Sequence, residues 1–211
     1  MSKLNDEQLF KRLLLGDGES LRPLLVKYGD PLMLYINGYV HDLDMAEELM
    51  MEAFSRLLAR RPLLREGGFK PYLYKTGRNL ALEHLKTQSR FMSLDELLEE
   101  PAETRLVEDK ILADERNREL YQCLSQIPDD YREALYLVYI EGMSHEGAAS
   151  VMRKSRKQVS NLVQRGKAAM KAQMSTESVD KQSARDGGAA SLNHGGFPGN
   201  SIFPLTLEGE S

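Results

Sequence analysis

The sequence predicts an all-α chain, two small helical domains joined by an acidic linker and followed by a disordered C-terminal tail. Three observations carry this expectation. Apolar residues recur at helical spacing in successive segments from Asp6 onward. Gly and Pro break that pattern at a few places: Gly16-Asp17-Gly18, Arg61-Pro62, Gly67-Gly68 and Pro128. After Met174 the periodicity stops and a stretch rich in Ser, Gly and Asn begins. The expected divisions are a first domain over 1–92, a linker over 93–109, a second domain over 110–174 and a tail over 175–211.

The first amphipathic helix is expected from about Asp6 to Leu15. A second runs from about Glu19 through Tyr39, with a break at Gly29-Asp30-Pro31, and buries Leu24, Leu25, Tyr28, Leu32, Tyr35, Ile36 and Tyr39. A third opens at Asp44, which with Glu47 has the spacing of a capping box, and ends near Arg60. Ala46, Leu49, Met50, Ala53, Phe54 and Leu57 form its core stripe, and Glu47, Glu48, Met51 and Glu52 its other face. A fourth spans about Pro71 to Gln88, with Leu73, Leu80, Leu82 and Leu85 inward. Along it lie the cations Lys70, Lys75, Arg78, Lys86 and Arg90, interleaved with Tyr72, Tyr74 and Asn79. Aromatics among cations suit single-stranded nucleic acid, since rings stack on bases while cations follow the backbone. Taken by itself, a helix with semi-buried tyrosines is the simpler account.

From Ser93 to Asp109 the chain turns acidic, and Pro101 argues against a continuous helix, which suggests a linker. Helices resume near Leu106, burying Ile111, Leu112, Leu120, Cys123, Leu124 and Ile127, until Pro128 ends the run. The segment DDYREALYLVYIEG then leads into residues Glu141 to Lys171, which read as a helix-turn-helix. Gly142 suits a left-handed C′ position and Ser144 can cap the next helix. Ser155 and Gln158 have capping-box spacing at the start of the second. Ala148, Ala149, Val151, Met152, Val159, Leu162 and Val163 can close the small core between them.

That second helix carries Arg156, Lys157, Ser160, Asn161, Gln164 and Arg165 outward, with Arg153, Lys154, Lys167 and Lys171 extending the positive charge. In a major groove Arg and Lys match guanine acceptors, Asn and Gln match adenine, and other cations meet phosphates. A solvated basic face is the plain alternative; the turn, the caps and the small-residue core favour DNA. The formal net charge of −4 over 211 residues is unusual for such a protein. Acidic surfaces elsewhere must therefore outweigh the basic helix, which suggests partners other than DNA.

Cys123 is the lone cysteine, so neither an internal disulfide nor a multi-cysteine zinc site is possible, consistent with a cytoplasmic location. The N-terminal stretch has neither a signal peptide's pattern nor an apolar run long enough to enter a membrane. His41, His84, His145 and His194 are scattered, without a metal-ligand motif, a phosphate loop or a nucleophile elbow. An enzyme is not expected, nor any cofactor or metal.

Three blocks in this order resemble a known family: DLDMAEELMMEAF (Asp42 to Phe54), FKPYLYKTGRNLALEHLK (Phe69 to Lys86) and Ile127 to Lys171. The chain looks like a sigma-70 family factor of the short extracytoplasmic-function (ECF) type, which carries only the helical regions 2 and 4. The resemblance implies that Asp44, Glu47, Glu48, Met51, Glu52 and Phe54 meet core RNA polymerase at its beta-prime clamp. It implies that Lys70, Tyr72, Tyr74, Lys75, Arg78, Asn79, Lys86 and Arg90 bind the melted minus-10 element. The minus-35 duplex would fall to Arg153, Lys154, Arg156, Lys157, Ser160, Asn161, Gln164, Arg165 and Lys167. The beta flap, promoter DNA and an anti-sigma factor are the further implied partners.

Several residues depart from the family pattern. Met51 stands where Gln is usual, Tyr72 where Trp is common, Gly77 where Ala is usual, and Arg153 where Gly is frequent. Gly77 and Gly166 read as weak spots in their helices, since Gly costs about 1 kcal/mol against Ala in a helix interior. Two alternatives remain open, a stand-alone helix-turn-helix regulator and a sigma-like adaptor that binds polymerase or an anti-sigma protein without initiating.

Overall fold

Asn5 starts the first helix by accepting the Gln8 N–H on its side chain while the Gln8 side chain accepts the Asn5 N–H, a reciprocal cap. Helix α1 (Asp6–Leu14) buries Phe10 and ends at a turn where Gly16 has φ 98°. The computed structural model describes residues 4–91 and 127–186. The acidic linker at 93–109, the apolar positions Ile111, Leu112, Leu120, Cys123 and Leu124, and the tail beyond Asp186 lie outside the described residues.

A short 3-10 turn (Gly18–Ser20) leads into α2 (Leu21–Val40), which is continuous through Gly29-Asp30-Pro31 rather than broken there. Pro31 removes one backbone donor, but Tyr28, Leu32, Tyr35 and Ile36 are buried on either side and hold the helix. Helix α3 (Leu43–Arg60) is capped by Asp42, whose carboxylate accepts the Met45 N–H at 3.0 Å. The expected capping box at Asp44 and Glu47 is thus replaced by a start two residues earlier. Asp42 has the extended backbone of a cap, whereas Asp44 already lies in the helix.

Helix α4 (Phe69–Phe91) is longer than expected at both ends. Its first turn is fixed by Glu7, which accepts the Phe69 N–H at 3.0 Å, and by the Phe69 ring between Phe10 and Tyr28. Leu73, Tyr74, Leu80 and Ala81 are buried, whereas Leu82, expected inward, is 39% exposed. Gly77 lets α4 approach α2 closely: a Cβ there would lie 3.0 Å from Leu32 Cδ1 and 3.1 Å from Ile36 Cδ1. It is a contact position, not a weak spot.

The second set begins with Ile127 and α5 (Asp129–Leu135), which passes directly into a π-helical segment (Tyr136–Ile140). Its wider turn ends in Gly142 at φ 63°, as the C′ reading anticipates. Helix α6 (His145–Met152) is capped by Ser144, which accepts the Gly147 N–H at 3.1 Å. Helix α7 (Arg156–Asp186) opens with the Ser155–Gln158 box, with bonds of 2.7 and 3.2 Å. It runs on to Asp186, while the compact unit of the fold ends at Met174. The apolar pattern ends at Met174 too; helix-compatible residues continue until Gly187-Gly188. Gly166 again marks a close approach, its missing Cβ facing Leu135 Cδ1 at 3.0 Å and Tyr131 Cβ at 3.3 Å.

The buried side chains of both sets form one continuous core, from Phe10, Leu24 and Leu57 through Leu73 and Tyr74 to Leu137, Val151 and Val159. Helices α4 and α6 lie against each other at this junction.

Candidate nucleic-acid interface

The turn between α6 and α7 aims the recognition helix. Arg153 ends α6 in the left-handed conformation at φ 54°, with its N–H bonded to the Ala149 carbonyl. Val159 and Val163 are buried in the same core as Ala148, Val151 and Met152, and Leu162 is partly buried against it. This leaves residues i, i+1, i+4, i+5 and i+8 of α7, namely Arg156, Lys157, Ser160, Asn161 and Gln164, on the opposite side. All are exposed except Ser160, which is half-buried. Arg153, Arg165 and Lys167 are exposed too. Lys154 is tethered to Asp130 at 3.0 Å, and Lys167 sits 4.6 Å above the Tyr139 ring. A face of guanidinium, amide, ammonium and hydroxyl groups on a helix of this bearing fits a major groove.

The α4 residues fall into two groups. Lys86 and Arg90 are exposed, and Tyr72, Lys75 and Asn79 are half-buried. Lys70, Tyr74 and Arg78, one turn apart, are instead engaged by acids of the second helical set. Lys70 Nζ lies 2.9 Å from Glu141 Oε2 and donates to the Glu141 carbonyl as well. Tyr74 is wholly buried, tilted against Tyr35 with centroids 5.2 Å apart, and donates to Glu141 Oε2 at 2.6 Å. Arg78 donates Nε to Glu133 Oε1 at 2.7 Å and Nη2 to Oε2 at 3.3 Å. Tyr35 also donates to Glu133 Oε1, at 2.8 Å. Burial pushes the Tyr74 hydroxyl well above its usual pKa, and the Glu141 charge adds to that. Burial disfavours the Arg78 cation, but Glu133 outweighs it and holds the guanidinium above its ordinary value.

Glu133 and Glu141 were not anticipated as site residues. The available signal was an acid at 133 directly before the buried Ala134 and Leu135; Glu141 read only as a helix end. Both answer cations on α4, a pairing across 55 to 71 residues that spacing cannot reveal.

The acidic face of α3 stands apart from these contacts. Asp44, Glu47, Glu48, Met51, Glu52 and Ser55 line a shallow concavity of about 500 Å³. Met51, one of these lining residues, is 49% exposed, and Glu52 pairs with Arg56 at 2.8 Å. Phe54, placed on this surface by resemblance, is instead buried in the core. Its position on the inner stripe with Met50 and Leu57 explains this. Among the described residues no group of His, Cys, Asp and Glu is arranged to hold a metal ion, and no helix is long and apolar enough to cross a membrane.

Two family models match the chain in the order of these two helical sets: Sigma-70 region 2 over residues 24–91 and Sigma-70, region 4 over residues 117–170. Together they span more than half of it. The chain belongs to the sigma-70 family, ECF type. It is 29% identical over 164 residues to the RNA polymerase sigma-H factor of Pseudomonas aeruginosa, covering 72% of this chain and 85% of that one. The ECF RNA polymerase sigma-E factor of Haemophilus influenzae is 26% identical over 163 residues, covering 71% and 85%. The fold is shared with the sigma factor RpoE of Bartonella quintana, solved in complex with the anti-sigma factor NepR. That match has a TM-score of 0.56 and 17% identity, and covers 74% of this chain and 98% of that one. The sigma-70 family is not a class of enzymes.

Proposed function

We propose that this sigma factor recruits core RNA polymerase through the acidic face of α3 and directs it to promoters, where α7 reads the minus-35 duplex. The observation that carries the reading is the exposed face of Arg156, Lys157, Asn161 and Gln164 on a doubly capped helix-turn-helix. Arg and Asn or Gln give base-specific hydrogen bonds, and the exposure of Arg153 and Lys167 supports a role for them on phosphates. Helix α4 is assigned to the melted minus-10 strand, with Tyr72 as the stacking ring and Lys75, Asn79, Lys86 and Arg90 along the backbone. Lys70, Tyr74 and Arg78 join this set when their acidic partners leave.

Glu47, Glu48 and Glu52 present carboxylates around the exposed Met51, a surface suited to basic side chains of the polymerase clamp. The acidic and basic faces lie on different helices, so polymerase and DNA can be held at once. Such a factor acts in the cytoplasm and is open to control by an anti-sigma protein. The test is co-elution with core polymerase of the parent chain and of the Glu48→Lys/Glu52→Lys variant. Both residues are exposed, so the fold should persist by circular dichroism while polymerase binding drops at least tenfold. Undiminished binding would move the polymerase surface elsewhere.

A further inference from the structure

The acidic face of α3 carries one group that its charges do not explain. Met51 is 49% exposed among Asp44, Glu47, Glu48 and Glu52, and Glu47, Glu48 and Ser55 stand one helical turn from it on the same side. Among the described side chains Met51 is the sole exposed methionine: Met50, Met143, Met152 and Met170 are buried, and Met33 and Met45 are half-buried. Its immediate neighbour Met50 lies on the inner stripe at 8% exposure, so the helix sets a shielded thioether beside an open one. A thioether reacts without losing a proton, so the surrounding carboxylates leave its reactivity intact and accessibility decides which methionine reacts.

We propose that Met51 is an oxidation site at which a hydroperoxide weakens the grip of the α3 face on RNA polymerase. This rests on the assignment of that face to polymerase. In the step the sulfur lone pair attacks the terminal oxygen of the peroxide. An S–O bond forms, the O–O bond breaks, and the leaving oxygen takes the proton and departs as water or an alcohol. Sulfur is oxidised to the sulfoxide and the peroxide is reduced. Before oxidation the face has an apolar centre in a charged rim, the anatomy of a protein contact. The carboxylates claim the donors of basic partner side chains, and the thioether packs on their methylene stems. A sulfoxide covered by the partner would lose its water and find those donors already taken. The rim charges are untouched, so oxidation lowers affinity without abolishing it, and a methionine sulfoxide reductase reverses the change.

Graded hydrogen peroxide treatment of the full chain in a Cys123→Ser background tests the site, with the peroxide removed before core polymerase is added. Tandem mass spectrometry should find Met51 oxidised ahead of Met50, Met143, Met152 and Met170. Polymerase affinity, read by fluorescence anisotropy of the labelled chain, should fall at least fivefold while circular dichroism is unchanged, and should return on treatment with the reductase. Met51→Leu, compared with its own untreated form, should change less than twofold. Oxidation of Met50 before Met51, an affinity unchanged or raised once Met51 is oxidised, or an equal loss in Met51→Leu each overturns the proposal. If the untreated chain does not bind polymerase, the assignment of α3 fails and the switch falls with it; binding that peroxide leaves unaltered sinks the switch alone.

Discussion

Replacing Arg153 by Gly separates the backbone's role in the turn from the side chain's role on DNA. Arg153 sits at φ 54° with its side chain exposed. The left-handed conformation costs a residue with a Cβ about 1–2 kcal/mol. Glycine escapes that cost but loses roughly 0.5–1 kcal/mol more backbone entropy on folding. The difference is a gain of about 0–1.5 kcal/mol, which for a chain of this size raises Tm by up to roughly 6 °C. Since the side chain is exposed, little packing is lost in exchange. Promoter binding should move the other way, with a salt dependence of log K shallower by about 0.9 for one lost phosphate contact. Differential scanning calorimetry and fluorescence anisotropy on an upstream promoter duplex measure the two effects. A variant destabilised by 1 kcal/mol or more would refute the argument that Arg153 is strained, and an unchanged salt slope would remove it from the phosphate contacts.

The close helix approaches give a second expectation. Gly166→Ala should destabilise the fold by about 1 kcal/mol despite the better helix propensity of Ala, because the new methyl meets Leu135 Cγ and Tyr131 Cβ near their backbones. Gly77→Ala, which meets the tips of Leu32 and Ile36, should cost less; urea unfolding distinguishes the two, and the reverse order would contradict the packing account. Tyr28, Tyr35, Tyr39 and Tyr74 have their pKa raised, by burial first and then by hydrogen bonds to and charges on their neighbours. Their folded pKa values exceed the unfolded value of about 10, so stability is unaffected below that pH and falls as pH rises beyond it. Absorbance at 295 nm should show these tyrosines ionising only as the protein unfolds; a single early titration of every tyrosine would oppose it. On the DNA side, Arg156→Ala and Gln164→Ala should each cost about 1–3 kcal/mol at particular upstream bases, read by binding to a set of single-base variants. Equal loss on every sequence would make them phosphate contacts.

Local signals in the sequence carried most of the architecture. Ser144, Gly142 and the Ser155–Gln158 box are short-range features, and all three appear as read, because caps and turns depend on neighbouring residues. The amphipathic stripes of α2 and α3 were legible for the same reason. What was missed depends on packing. Pro31 did not break α2 because buried neighbours outweigh one lost donor, and Gly77 and Gly166 looked like weak points until the facing helices were seen. The exposed polar face of α7 proposed for DNA was legible because it is periodic. The engagement of Lys70, Tyr74 and Arg78 by Glu133 and Glu141 was not, since it joins positions with no shared local pattern.

The most direct measurement is run-off transcription by purified bacterial core RNA polymerase over a library of promoter fragments, with and without this protein. The account predicts discrete transcripts that require the protein and share upstream and downstream elements at fixed spacing. Binding to polymerase with no such transcripts would contradict it in favour of an adaptor, and DNA binding without polymerase binding in favour of a stand-alone regulator.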